Sequence, residues 1–435
     1  MITRDYNAVS ISKEELEDLK IISDVVISDI TLDDYPNLLV FPDSFENYDR
    51  DFGKKKICSI INQGKGLATN SIVGFIGRNK THLSIHSRFA PNNTEDYFLH
   101  YMFQKVSKIN LLNLHHTLSE DSFFDFLIYM FPLYLKKAIS QGIFKEYLTK
   151  YHNNANVRGV VDVNRHIRTN EPFNGKVAYS TREYSYDNHV TQLIRHTIEF
   201  IKKMNVGDYL LNMDDLMIQA VSQIISSTPS YTSDARQYVI NQNIRPTVHP
   251  YYTDYTPLQR ICLQILRNEE LKYGQEKDEI YGVLVDASWL WEEYVAIIIE
   301  DKYDHYTYDN SRISLFDDVF QRIIPDYISK DKNIVADAKY IPLKEKRWFG
   351  EERATAIYYK TIAYMYRFCT NKGYLFYPYP DEDVVSIPLK IKTEKENVNG
   401  GTITKIGLRI PSHCSSYQEF VKKIESYEKE FLSML

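Results

Sequence analysis

The stretch RIIPDYISKDKNIVADAKY, Arg322 to Tyr340, plants the carboxylates Asp326 and Asp337 inside two short apolar runs and follows the second with Lys339. The polar tip SKDKN between the runs predicts a hairpin. If its turn centres on Asp331 and Lys332, Tyr327 falls opposite Ala336 and Asp326 opposite Asp337. Opposed residues of an antiparallel pair share a face, with Cβ atoms roughly 4.5–5.5 Å apart. Lys339, two residues beyond Asp337, joins that face about 6.6 Å along the strand. Facing carboxylates repel, and burial penalises both. A hard divalent cation relieves that conflict, and Mg²⁺ takes one or two carboxylates together with water and phosphate oxygens. A lysine there can orient or deprotonate an attacking water and balance charge on a phosphodiester. The set fits hydrolysis of a phosphate ester.

The flanking elements must position these groups. Upstream, DASWLWEEYVAIIIEDKY predicts a helix capped by Asp286 or Ser288. On it Glu292 shares a face with Trp289, Val295, Ala296 and Ile299, whereas Glu293 points elsewhere. Downstream, ATAIYYKTIAYMYRF predicts a helix with Lys360 and Tyr364 four apart on one face. That pair can touch a DNA phosphate or support the metal site, while core packing is the commoner use of such an aromatic helix. GYLFYPYP and VVSIPLKI supply further strands, and SYQEFVKKIESYEKEFLSML an amphipathic C-terminal helix.

Across all 435 residues the net charge is −6, with 43% hydrophobic and 25% charged residues. Such a chain is globular, and its charge gives no general pull toward nucleic acid. Four scattered cysteines form no zinc or disulfide pattern, and no apolar run is long enough to span a membrane. A cytoplasmic protein is expected. SIVGFIG and THLSIHSRF predict a hairpin around RNK. Its GFIGRNKT resembles a phosphate-binding loop, but Asn79 replaces the second glycine and a strand follows, so no bound nucleotide is expected. Helices are predicted over EDYFLHYMFQKVSKINLL and SEDSFFDFLIYMFPLYLKKAISQGIF. Strand-like alternation returns over NVRGVVDVNRHIRTNEPFNGKVAYSTREYSYD, and helical periodicity runs from Asn188 to about Gly274. The expected regions are a β-rich and α-helical N-terminal part (1–185), a helical connection (186–275) and a C-terminal α/β domain (276–435). After residue 276 the order reads helix, strand, strand, helix, strand, helix.

That order, with PD at Pro325–Asp326 and DAK at Asp337–Lys339, resembles the PD-(D/E)xK nucleases, whose mixed central sheet is flanked by helices. Within them LWEEYV, IIPDYI, VADAKY and YYKTIAYMYR are similar to the McrC family, the nuclease subunit of McrBC-type restriction systems, including its LlaJI-like branch. The specific likeness covers about residues 286–370. One departure falls at Lys360, where McrC proteins often carry Gln four residues before Tyr.

The resemblance implies a Mg²⁺-dependent endonuclease acting on double-stranded DNA. Asp326 and Asp337 would hold the metal, Lys339 would position water, and Glu292 would assist. It implies a partner, a McrB-like hexameric AAA+ GTPase whose hydrolysis the N-terminal region stimulates. Arg158, Arg165 and Arg168 are the candidate partner contacts. A catalytically inactive activator of the motor and a free-standing nuclease are the alternatives.

Overall fold

The computed structural model describes residues 1–30, 35, 37–42, 55–79, 81–90, 96–107, 120–204, 206–245, 247–272, 280–306, 313–317, 323–341, 351–380, 385–394 and 400–435. The chain is a mixed α/β protein with several sheets, compatible with the α+β expectation. It forms two compact units, one of Met1–Phe126 with Lys277–Leu435 and one of Leu127–Glu276. The divisions expected at 185/186 and 275/276 thus stand beside observed divisions at 126/127 and 276/277.

In the first unit, Ile72–Arg78 and Thr81–His86 form the expected hairpin, with Arg78 opposite Thr81. Asn79 takes a positive φ of 52° in the turn, a conformation asparagine tolerates better than most residues. The segment passes directly into a strand at Thr81, not into a helix. These strands belong to a five-stranded sheet ordered Ile2–Arg4, Thr81–His86, Ile72–Arg78, Tyr281–Asp286 and Asn37–Phe41.

Tyr281–Asp286 is a strand the sequence reading did not anticipate. It lies antiparallel to Ile72–Arg78 and parallel to Asn37–Phe41, with Val283, Leu284 and Val285 buried. Two glycines permit the close pairing. Gly74 and Gly282 sit at φ 135° and 152°, and a Cβ on either would stand 2.1 Å from a backbone oxygen of the neighbouring strand. Asp286 ends the strand and caps the helix Ala287–Ile299, accepting from the N–H groups of Ser288 and Trp289. Its other oxygen accepts from Lys55 Nζ at 2.7 Å, so this fully buried carboxylate is paired.

The second large sheet of this unit has six strands, ordered Tyr303–His305, Tyr327–Ser329, Ile334–Ala338, Lys372–Tyr379, Thr402–Arg409 and Ser386–Lys390. Its middle three strands are parallel and the outer pairings antiparallel. The helix Glu351–Arg367 links the parallel strands Ile334–Ala338 and Lys372–Tyr379. Its Tyr364 and Met365 pack with Val335, Leu375 and Tyr377 on one sheet face. On the other face Phe376 meets Tyr327 and the Phe431 ring of the helix Tyr417–Ser433. Relative to the expected order, the structure adds Tyr281–Asp286, Tyr303–His305 and Thr402–Arg409. The first is buried from its second residue on, the second only three residues long, and the third alternates too weakly to announce itself.

Three helices of the first unit meet at a buried carboxylate. Tyr101 of Tyr97–Ser107 and Tyr294 of Ala287–Ile299 both donate to Oε1 of Glu428, at 2.9 and 2.8 Å, and Lys105 donates to Oε2 at 3.4 Å. Burial, with the Glu428 charge next, pushes both tyrosine hydroxyls far above their ordinary range.

In the second unit, Glu146–Asn154 and Val177–Ser185 pair antiparallel, with the short strand Val160–Val161 on the far side of Val177–Ser185. The helices His189–Ile201, Gly207–Leu211, Asp215–Ser227, Arg236–Gln242 and Tyr255–Lys272 follow, as the periodicity after Asn188 predicts. One expectation is corrected. Val163–Asn170, read as strand-like, is a helix, because Asp162 accepts from the Arg165 N–H at 3.1 Å and caps it. All four cysteines are free. Among the described residues no helix is long and apolar enough to cross a membrane.

Candidate active site

The hairpin Tyr327–Ser329/Ile334–Ala338 has the register the sequence predicts, with Tyr327 opposite Ala336 and Ile328 opposite Val335. Its turn is tied by side chains. Ser329 Oγ donates to Asp331 Oδ1 at 2.5 Å, and the Asn333 N–H donates to the same oxygen at 3.1 Å. Past Tyr327 the backbone ladder stops, and the Asp326 side chain takes over from it. Its Oδ2 accepts from the Ala338 N–H at 2.7 Å.

Alternation sends Asp337 to the sheet face covered by the helix Glu351–Arg367, beside Leu375. Asp337 is 1% exposed. One carboxylate oxygen is ion-paired with Lys339, and Lys339 Nζ also donates to the Ala338 carbonyl at 3.2 Å. The other oxygen, Oδ1, is buried without an N–H or hydroxyl donor; beyond Lys339, the hydrogen bond left to this carboxylate is with the Asp326 carboxyl. A buried acceptor of this kind normally finds such a donor.

The two aspartates are driven apart in acidity. Burial, then the charges of Asp337 and Glu292, push Asp326 well above the usual carboxylate range. Burial would raise Asp337 as well, but Lys339 and then Lys360 outweigh it and hold its carboxyl at about 2. The pair therefore favours a single negative charge, with Asp326 as the member that holds a proton. Displacing that proton with a cation would let both ionise. The oxygen-only donor set and the Oδ1 that no N–H or hydroxyl satisfies fit a hard divalent ion. Among the described residues no group of three His, Cys, Asp or Glu side chains is gathered closely enough to hold a metal, so these two carboxylates would be the protein's share.

Lys360 and Tyr364 stand on the covering helix, with the Lys360 ammonium 5.6 Å from the Tyr364 ring centroid. Tyr364 is buried and donates to the Ile324 carbonyl at 2.8 Å, bracing the segment that leads into Asp326. Lys360 contributes charge to both aspartates.

Glu292 approaches from Ala287–Ile299. Its carbonyl accepts from the Tyr327 hydroxyl at 2.6 Å, and its Oε1 lies 3.3 Å from His305 Nε2. Burial would lower His305, but the hydrogen bond and charge of Glu292, with that of Glu293, override it and raise the imidazole. His305 carries no motif in EDKYDHYTYDN, and sequence reasoning missed it. The structure thus brings Asp326, Asp337, Lys339 and Lys360 into one electrostatic group and sets Glu292 and His305 beside it.

The three arginines lie in the second unit. Arg158 and Arg168 are exposed. Arg165 is committed to the fold, with Nη2 donating to the carbonyls of His152 and Tyr179 at 2.9 and 2.7 Å.

The model of the family described as McrBC 5-methylcytosine restriction system component matches residues 67–378. Among solved structures, the chain is similar to one described as a half-complex from a tetradecameric assembly of Thermococcus gammatolerans McrB AAA+ hexamers with bound McrC. That match has 15% identity and a TM-score of 0.46, and it covers 100% of both chains. A second is the cryo-EM structure of the Thermococcus gammatolerans McrBC complex, with 14% identity, a TM-score of 0.32, and coverage of 69% of this chain and 87% of that one. No curated protein sequence matches significantly.

Proposed function

Because the chain belongs to the McrBC 5-methylcytosine restriction system component family, we propose that it is the McrC-like nuclease subunit of such a system, a Mg²⁺-dependent endonuclease of PD-(D/E)xK type. The observation that carries this reading is the Asp326–Asp337 pair with Lys339 at the end of one hairpin, and above all the buried Asp337 Oδ1 that no N–H or hydroxyl group of the chain satisfies. Asp326 and Asp337 hold the metal, which when bound supplies positive charge to the scissile phosphate and acidity to the attacking water. Lys339 positions that water and donates to the phosphate oxygens as negative charge grows on them. Lys360 adds positive charge toward the same oxygens. Tyr364 keeps the segment leading into Asp326 in place.

The partner is a McrB-like AAA+ GTPase. This chain's net charge of −6 gives little independent hold on DNA. Arg158 and Arg168, exposed like Val160, Val161 and Phe173 of the same unit, supply the docking contacts. The deciding experiment is cleavage of double-stranded DNA with Mg²⁺ by the chain alone, and by the chain with its motor and GTP. Cleavage only in the full mixture, abolished by D337A with assembly intact, is the expected result. Cleavage retained by D337A would sink the site. Faster GTP hydrolysis without any cutting would instead mark the chain as an activator.

A further inference from the structure

We propose that His305 is a positioning residue of this site, holding the Glu292 carboxylate beside the aspartate pair. The inference rests on the nuclease reading above. His305 ends the edge strand Tyr303–His305 and lies directly opposite Tyr327. Its ring centroid is 5.4 Å from that of Tyr327, and its Nε2 is 3.3 Å from Glu292 Oε1. The Tyr327 hydroxyl meanwhile donates to the Glu292 carbonyl at 2.6 Å. Two opposed residues of one strand pair therefore grip both the main chain and the side chain of Glu292.

The next residue extends the grip to the metal-site carboxylate. The Tyr306 N–H donates to the Asp326 carbonyl at 3.0 Å. A single short strand thus fixes Glu292 through its last side chain and Asp326 through the following backbone group. His305 and Tyr327, being opposed, project from the sheet face opposite to Asp337. His305 is consequently placed to act through Glu292 and not on the phosphate. Free glutamate side chains are among the costliest to order, so a carboxylate expected to assist a site gains from being held in advance.

The test uses the full complex and compares wild type, H305A, H305Q, E292A and the H305A/E292A double variant. The readouts are single-turnover cleavage over a Mg²⁺ titration and calorimetric Mn²⁺ binding to the full chain. H305A should slow cleavage about tenfold and raise the Mg²⁺ concentration for half-maximal rate. H305Q, whose Nε2 can take the place of the imidazole Nε2, should recover most of the loss. In the E292A background, H305A should cost nothing more. Mn²⁺ affinity should weaken equally in H305A and E292A. Wild-type rates and Mn²⁺ affinity in H305A, or additive losses in the double variant, would overturn the proposal while a dead D337A keeps the nuclease reading standing. A melting point lowered in H305A with unchanged rate per folded molecule would reduce His305 to a structural staple. If the wild type itself cuts nothing, the nuclease reading fails, and the Mn²⁺ comparison still decides what His305 does.

Discussion

The backbone N–H of Ala338 donates to Oδ2 of Asp326 at 2.7 Å, so the residue between Asp337 and Lys339 is the one that pins the opposing carboxylate. Asp326→Asn keeps an oxygen for that N–H and removes the charge that burial and Asp337 oppose. D326N should lose cleavage by about 10²–10³-fold, yet melt at a higher temperature than wild type in metal-free buffer at pH 8. A lower melting point would mean that the aspartate pair carries no electrostatic strain.

The two lysines should differ in weight. Lys339 touches Asp337, whereas Lys360 acts on the pair by charge. In single-turnover assays K339M should cost about 10²–10³-fold and K360M about tenfold. Equal losses would place Lys360 at the reacting phosphate.

Metal-free stability should fall as pH rises from neutral into the alkaline range. Asp326, raised well above its ordinary range by burial, and Asp96, pushed up to about 7 by burial, stabilise the fold below the ordinary carboxylate pKa. That contribution is lost as pH rises through their folded values. His86 and His196, lowered to about 4 mainly by burial, stabilise above the ordinary imidazole value and lose this as pH falls toward 4. Mg²⁺ should raise the melting point more at pH 8 than at pH 6, since it competes with the proton on Asp326. A melting curve flat from pH 6.5 to 8.5 without metal would contradict this.

The arginines separate by environment. R158E with R168E should remove stimulation of GTP hydrolysis by the partner and leave the melting profile unchanged. R165A leaves the His152 and Tyr179 carbonyls without their donor and should cost about 1–3 kcal/mol of stability, read from urea midpoints of the purified chain.

Glu428 offers a test of the helical core of the first unit. E428A strands the hydroxyls of Tyr101 and Tyr294 in a buried site and should cost about 3–5 kcal/mol, against about 1 kcal/mol for Y294F. Similar urea midpoints for the two variants would deny Glu428 that role.

Local patterns carried the hairpin, and nonlocal ones stayed hidden. The 327–336 register was legible because a polar tip between two apolar runs fixes it by counting. The Asp286 cap and the helices after Asn188 were legible for the same reason, since cap chemistry and periodicity act within a few residues. Tyr281–Asp286 was not, because a continuous apolar run does not say which distant strands will flank it. Val163–Asn170 misled because valines on either side of Asp162 imitate alternation, while the cap turns the second group into a helix. His305 was invisible because its meaning comes from Glu292, which belongs to another element. Lys80 of the first hairpin's turn, and Glu95, 108–112 and Ser119 of the two helices expected after it, lie outside the described residues.

The placement of Tyr281–Asp286 also bears on how the protein is made. Ile72–Arg78 and Asn37–Phe41 leave the ribosome long before the strand that joins them. At 5–20 residues per second the wait is about 10–40 s, during which two apolar strand edges stand open in the nascent chain. The same late strand runs straight into the helix that carries Glu292. The candidate site thus gains that helix only as the older sheet is closed. Expression of 1–185 or 276–435 alone would leave one side with a gap and the other with an orphan strand, and both should aggregate where the whole chain folds.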